Sequence, residues 1–163
     1  MKNKFNLTLA LIIAVSLLQG CKKENNTNNP TGQEILTMKV NGVDWVGDDN
    51  LAGFILKTNN KINLGGSKIA TDEQITVSNV EVLSNGTYNI NPTLFQNVTF
   101  LKDGASPKLY QVKASIPKSR FTFTVTKTTE DNLLIDVEGT FSGVLYASAT
   151  DSVVITNGVY KFN

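Results

Sequence analysis

The stretch LTMKVNGVDWV, Leu36–Val46, places an Asn-Gly pair between two runs of alternating apolar and polar residues. Such a pair between alternating residues is a strong signal for a two-residue hairpin turn. Closing the turn on Asn41-Gly42 gives three cross-strand pairs: Val40 with Val43, Lys39 with Asp44, and Met38 with Trp45. One face then carries only apolar side chains: Leu36, Met38, Val40, Val43 and Trp45. Because side-chain period and charge pairing agree, we expect a hairpin with one face in the core.

A second stretch of the same kind, SVVITNGVYKF, lies at Ser152–Phe162. Closing a two-residue turn on Asn157-Gly158 pairs Ile155 with Tyr160 and Val153 with Phe162, so that four large apolar groups share one face. We therefore expect a second hairpin here. A third pair, Asn85-Gly86, gives mixed faces when it is closed in the same way, and it indicates a hairpin less clearly than the other two.

The remaining sequence also has the period of strands. RFTFTVTK (Arg120–Lys127) alternates, with Phe121, Phe123 and Val125 inward and the threonines outward. LLIDVEGTFSGVLYAS (Leu133–Ser148) is either two strands or one strand curving between sheets. Six shorter candidates follow turn residues: LAGFILK, KINLGG, EQITVSNV, GTYNI, NVTFL and LYQVKA. No apolar period of 3.6 persists for three turns. Residues 34–163 are therefore predicted to form one all-β domain, an antiparallel β-sandwich or flattened barrel of about ten strands.

The first 33 residues have a different character. Lys2 and Lys4 precede an uncharged run of twelve residues, Leu7–Leu18, which has the layout of a secretory signal and is short for a membrane span. The tetrad that follows, Leu18-Gln19-Gly20-Cys21, resembles the bacterial lipobox. The resemblance implies that residues 1–20 are a cleaved signal peptide and that Cys21 carries a diacylglycerol on its sulfur and an acyl chain on its new amino group. A disulfide within the chain is excluded because Cys21 is the only cysteine.

After Cys21 the sequence KKENNTNNPTGQ, residues 22–33, is polar throughout. Low hydrophobicity of this kind predicts a flexible tether, and residues 21–33 are expected to link the lipid to the β domain. Each buried methylene contributes about 0.8 kcal/mol, so three acyl chains would hold the protein on a membrane permanently.

These features together resemble a family of unknown function, the small β-rich lipoproteins of Bacteroidetes-type bacteria. The residues that carry the resemblance are the lipobox LQGC, the NGVDW of the first hairpin, GTY in mid-chain, GTFSGVL, and VVITNGVYKF. The resemblance implies an envelope protein, anchored by lipid in the outer membrane. It supplies no catalytic or binding residues.

Composition excludes several kinds of chemistry. The chain has no histidine, which removes Ser-His-Asp and Cys-His catalysis and every imidazole metal site. Without residues 1–20 there are 13 basic residues against 14 acidic ones, and Arg120 is the only arginine. This balance gives no reason to expect nucleic-acid binding. We expect no cofactor and no catalytic residue.

Carboxylates are the remaining candidates for a site. A glycosidase needs two of them across a cleft, and the candidates are Asp44, Asp48, Asp49, Glu73, Glu81, Glu130, Asp131, Asp136 and Glu138. Asp136 and Glu138 form the best pair because they are neighbours on one strand face. Asp48, Asp49 and Asn50 are weak calcium candidates, because they lack the ligand spacing of a dedicated calcium loop. Trp45 is expected in the core rather than in an exposed sugar-binding position.

Three functions fit these observations. The first is a non-enzymatic envelope lipoprotein whose β domain binds a protein or glycan partner. The second is a carboxylate-dependent hydrolase that acts on envelope glycans. The third is a structural surface protein. The sequence favours the first, because the chain lacks the usual catalytic residue types and is predicted to be anchored.

Overall fold

The computed structural model describes residues 34–102, 106–130 and 134–162. The predicted signal peptide, Cys21 and the tether lie outside them. The described residues form eleven strands: β1 (Ile35–Val40), β2 (Val43–Val46), β3 (Asp49–Leu56), β4 (Lys61–Lys68), β5 (Glu73–Glu81), β6 (Gly86–Asn89), β7 (Asn97–Lys102), β8 (Lys108–Gln111), β9 (Arg120–Glu130), β10 (Leu134–Ser148) and β11 (Asp151–Phe162). Two short 3-10 turns, Ile69–Thr71 and Pro92–Leu94, complete them. Each of the six shorter candidates contains a strand, although β8 ends at Gln111, halfway through LYQVKA.

Every strand pairing is antiparallel, and β10 connects the whole sheet. It begins beside β3, where Leu134 pairs with Leu56, and it ends beside β8, where Tyr146 pairs with Gln111. The strands β3-β4-β5-β7-β8 therefore close a ring through β10, while β11-β1-β2 and β9-β6 pair with β10 between these two ends of the ring and along much of its length. The all-β prediction is confirmed. Of the predicted segment, the described residues Leu134–Ser148 form one long strand, the second of the two predicted alternatives.

The first hairpin has the predicted register. Val40 pairs with Val43, Lys39 with Asp44 and Met38 with Trp45, and the Lys39 Nζ lies 2.7 Å from Asp44 Oδ1. Asn41 (φ 51°) and Gly42 (φ 84°) both have positive φ, as a type I′ turn requires. Trp45 is buried, as expected. Val43 is on the apolar face but 70% exposed, because the hairpin tip extends past the core.

The prediction of a second hairpin is wrong. Residues 151–162 form one continuous strand, β11, and Asn157-Gly158 lies in its middle. Phe141 pairs with Gly158 and Gly143 with Ile155, so one residue of β10 opposes two residues of β11 in a β-bulge. The predicted apolar face is nevertheless confirmed, since Val153, Ile155, Tyr160 and Phe162 are all buried. A bulge and a two-residue turn both shift the alternation by one residue.

The core between these strands is apolar. None of the described buried residues is charged or carries a polar side chain other than Trp45 or a tyrosine. An aromatic group lies at its centre: Phe123 stacks on Tyr160 with ring centroids 4.7 Å apart, and Phe121 stacks on Phe141 at 5.7 Å. Burial raises the pKa of Tyr160, whose hydroxyl donates to the Thr124 carbonyl at 2.9 Å. Packing of this kind makes the sheet a rigid support for its outer face.

Candidate functional site

An open groove of about 600 Å³ runs across the outer face of β9, β10 and β11. Six of its nine described lining residues have a side-chain hydroxyl or amide: Thr122, Thr124, Thr140, Ser142, Thr156 and Asn157. A smaller cavity of about 170 Å³ shares Thr122, Ser142 and Thr156 and continues the groove as far as Arg120. The groove is therefore a polar surface supported by a packed sheet.

Strand alternation and the bulge together build this surface. Because Phe121 and Phe123 point into the core, Thr122 and Thr124 point outward into the groove. In β11 the bulge turns two successive residues, Thr156 and Asn157, to the outside. At Gly158 the ring of Phe141 packs against the backbone from the core side. At the bulge, the groove is therefore bounded by backbone without a side chain, and hydroxyl groups surround this position.

Some of the groove hydroxyls are already engaged by the neighbouring strand β6. Thr124 Oγ1 lies 3.1 Å from Thr87 Oγ1, and Thr122 Oγ1 donates to Asn89 Oδ1 at 3.3 Å. Within the described part of the chain, the hydroxyls of Thr140, Ser142 and Thr156 have no such partner. These three hydroxyls can donate to and accept from a ligand without breaking a protein hydrogen bond.

Among the residues that the structure describes, no carboxylate lines the groove. Glu138 lies farther along β10, where its Oε1 is 3.2 Å from Lys127 Nζ and 3.3 Å from Lys161 Nζ. The hydrogen bond from Lys127, followed by the one from Lys161, holds the pKa of Glu138 below its ordinary value. Glu138 is therefore a stably ionised partner of two lysines.

The candidate acid pair shares a strand face but not a cleft. Asp136 is half-buried beside Thr129 of β9, and Glu138 pairs across the sheet with Lys161. The other candidates are dispersed: Asp44 pairs with Lys39, Glu73 accepts from Thr71 Oγ1 at 2.9 Å, and Glu81 is exposed at the end of β5. The side chain of Glu130 and all of Asp131 lie outside the described residues.

The calcium candidates lie where the chain enters β3. Asp48 Oδ1 accepts from the Ile69 amide at 2.8 Å, and Ser67 Oγ donates to Asp49 at its carbonyl and its Oδ2. Asn50 donates to Asp49 Oδ2 and has a φ of 50°. The two carboxyl groups therefore contact different partners and cap the ends of β3 and β4. Among the described residues, no three His, Cys, Asp or Glu side chains are grouped so that they could hold a metal ion.

A second polar cluster, which the sequence did not indicate, ties β8 to the start of β11. Asp151 accepts from Lys108 Nζ at 2.9 Å and from the Tyr110 hydroxyl at 3.1 Å. These hydrogen bonds lower the pKa of Asp151, and the Asp151 carboxylate raises the pKa of Lys108. Because each group is satisfied by the others, the cluster fastens two strands and leaves no group poised for chemistry.

Sequence reasoning found the outward threonines of β9 but not the groove. The missed residues are Thr140, Ser142, Thr156 and Asn157. The available signal was threonine and serine at outward strand positions. The sequence alone does not show that these strands are neighbours, because that depends on the β10–β11 register. No described helix is long and apolar enough to cross a membrane. Comparisons with family models, curated proteins and solved structures found no match to this chain.

Proposed function

We propose that this chain is a membrane-anchored envelope lipoprotein whose β domain is a non-enzymatic binding module, and that the groove on β9, β10 and β11 holds an envelope glycan. The observation that carries the proposal is the groove itself. Its described lining offers six hydroxyl or amide side chains and no carboxylate. A polyhydroxylated ligand matches this set, because each sugar hydroxyl can donate to one protein oxygen and accept from another.

The support beneath the groove favours recognition. Thr122, Thr124, Thr140 and Thr156 are β-branched, so their side chains lose little rotamer freedom when they bind a ligand. They project from paired strands above a packed core, which keeps their spacing constant. Apolar surface from the exposed Val159 provides contact for the CH groups of a sugar ring. Affinity then comes from several modest hydrogen bonds made at little entropic cost.

The hydrolase alternative has weaker support. A glycosidase acid must keep its proton near neutral pH, which requires a raised pKa. The two lysines beside Glu138 lower its pKa instead. Asp136 and Glu138 also project side by side from one strand, whereas a substrate must fit between the two carboxyl groups of a glycosidase.

The anchoring part of the proposal depends on Cys21. Cells grown with a radioactive fatty acid should label the wild-type chain and not Cys21→Ser. Label in both chains would reject the anchor. Protease treatment of intact cells then distinguishes a domain on the outside of the envelope from one on the periplasmic side.

Binding is tested with a variant that fills the groove. Ser142 is exposed at its centre, so Ser142→Trp should remove binding to an array of immobilised bacterial oligosaccharides while the domain stays folded. Thr129→Trp is the matched control, since Thr129 is exposed on β9 outside the groove. Equal binding by wild type and Ser142→Trp would reject the groove as the site. Turnover of any bound oligosaccharide would favour the hydrolase.

A further inference from the structure

The loop between β6 and β7 presents two large apolar side chains to solvent. Leu94 is 63% exposed and Phe95 is 87% exposed, the largest value among the exposed large hydrophobic residues described. Phe95 also has a φ of 59°, in the left-handed region that bulky residues rarely adopt. A strained backbone that displays an aromatic ring is a pointer to function.

Hydrogen bonds within the loop hold this display in place. Asn91 Oδ1 accepts from the Thr93 amide at 3.0 Å and from Thr93 Oγ1 at 2.6 Å. The Asn91 amide donates to Gln96 Oε1 at 2.8 Å, and the Leu94 amide donates to the Asn91 carbonyl at 3.0 Å. The loop is therefore preorganised, and the two apolar side chains are exposed without the loop having to rearrange.

A basic loop lies beside it. The Ile90 amide donates to the Phe121 carbonyl at 2.9 Å, and the Val112 amide donates to the Val98 carbonyl at 3.4 Å. These two bonds join the ends of residues 91–97 to the ends of residues 113–120, so the loops are adjacent. The second loop carries Lys118 and Arg120, both exposed. The described residues 82–102 and 106–120 contain no acidic residue.

We propose that these two loops form a second membrane contact, in which Leu94 and Phe95 enter the headgroup region of an anionic bilayer and Lys118 and Arg120 lie against lipid phosphates. Exposed aromatic and aliphatic residues beside basic ones are the combination by which interfacial segments bind anionic membranes. The contact would fix the orientation of the β domain, which a lipid and a tether leave free.

The tether length permits both contacts at one bilayer. The described chain begins next to Ile35, which pairs with Lys161 of β11. Phe121 is three strands across and about five residues along from that point, roughly 20 Å at ordinary strand spacings. Residues 22–33 can span up to about 40 Å when extended. This second contact rests on the proposed anchor at Cys21, which brings the loops close to a membrane. The experiment must therefore be able to reject the loop contact and the anchor independently.

The test uses the full chain reconstituted in vesicles of phosphatidylcholine with phosphatidylglycerol. Ser115→Cys puts an environment-sensitive fluorophore on the basic loop, and Ala70→Cys puts it on the exposed β4–β5 turn as the control. We expect spin-labelled lipid to quench the fluorophore at position 115 and not the one at position 70. Adding Leu94→Ser and Phe95→Ser should lower the ratio of quenched to unquenched protein by at least about tenfold, as expected for the loss of two apolar contacts. High salt should also lower it.

Three outcomes would overturn the proposal: no quenching at position 115, equal quenching at both positions, or quenching that the serine variants leave unchanged. Cross-linking between chains through position 115 in place of quenching would assign the loops to a protein contact and would also overturn it. Acylation of Cys21 is measured separately, because a Cys21 that carries no lipid reacts with a second molecule of the fluorophore. In that case the same quenching measurement is made with Cys21→Ser.

Discussion

Two Asn-Gly pairs in similar sequence surroundings have different structures in this molecule. Asn41-Gly42 forms the turn of a hairpin, whereas Asn157-Gly158 forms a bulge in the middle of a twelve-residue strand. Asn41 and Asn157 have almost the same φ, 51° and 52°, but only the first pair has a glycine with positive φ. The dipeptide therefore determines where the alternation shifts, and its neighbours determine whether the chain also reverses.

The neighbouring strand explains the difference. β10 pairs with β11 from Val137 to Ser148, on both sides of the bulge. A hairpin at Asn157 would leave half of that edge of β10 unpaired, and unpaired backbone groups next to the core are costly. At the first pair, the Asn41 amide and Oδ1 make two bonds of 2.8 Å with the carbonyl and amide of Val154, which fasten the reversed chain to β11. Pairing with the neighbouring strand thus determines whether an Asn-Gly pair forms a hairpin turn or a bulge.

Inserting one alanine between Asn157 and Gly158 should have the largest effect on stability. The insertion adds a second extra residue to β11, so Tyr160 and Phe162 change face relative to β10 and leave the core. Losing two buried aromatic side chains costs roughly 6–10 kcal/mol, which is comparable to the whole stability of a domain. We expect no cooperative unfolding transition in urea. A variant within about 1 kcal/mol of the wild type would indicate a loop at Asn157 instead.

Alanine substitutions at Gly158 and Gly42 should distinguish the cost of side-chain overpacking from the cost of a positive φ. A Cβ at Gly158 would lie 2.4 Å from a ring carbon of Phe141 and 2.6 Å from its carbonyl oxygen, whereas a Cβ at Gly42 meets nothing within 4 Å. We expect Gly158→Ala to cost about 3 kcal/mol through overpacking. Gly42→Ala should cost about 1 kcal/mol through its positive φ. Equal urea midpoints for the two variants would contradict the bulge.

Glycine at the two asparagines should reveal the role of the Asn41 side chain. Glycine tolerates the left-handed backbone at both positions, so only side-chain interactions are lost. Asn41→Gly removes the acceptor of the Val154 amide and should cost about 1 kcal/mol of unfolding free energy. Asn157→Gly should cost less. The reverse order in equilibrium unfolding would show that Asn157, rather than Asn41, makes the important side-chain contact.

The cross-strand charge pair of the first hairpin should have the smallest effect. The Lys39 and Asp44 side chains are 38% and 80% exposed, so water and salt screen their attraction. A double-mutant cycle with Lys39→Met and Asp44→Asn should give a coupling energy of about 0.5 kcal/mol that falls at high salt. A coupling energy several times larger would mean that the pair helps to determine the register of the hairpin.

The sequence predicted the all-β fold, the register of the first hairpin and the buried face of β11, because each depends on a period that local residues carry. It failed at Asn157, where a turn and a bulge give the same sequence of faces and only pairing with β10 separates them. It also missed the groove, because Thr140, Ser142 and Thr156 come together only through that pairing. The predictions at Cys21 and the tether stay predictions, since they fall outside the described residues.

The central claim is that the bulged face of β11 is part of a binding site, and an NMR titration tests it most directly. Isotope-labelled protein would be titrated with the oligosaccharides that it retains on the array, and amide shifts would be followed at both Asn-Gly pairs. We expect the resonances of Ser142, Thr156 and Asn157 to move in a saturable way, while those of Asn41 and Gly42 stay in place. Saturable shifts confined to other parts of the domain would contradict the claim.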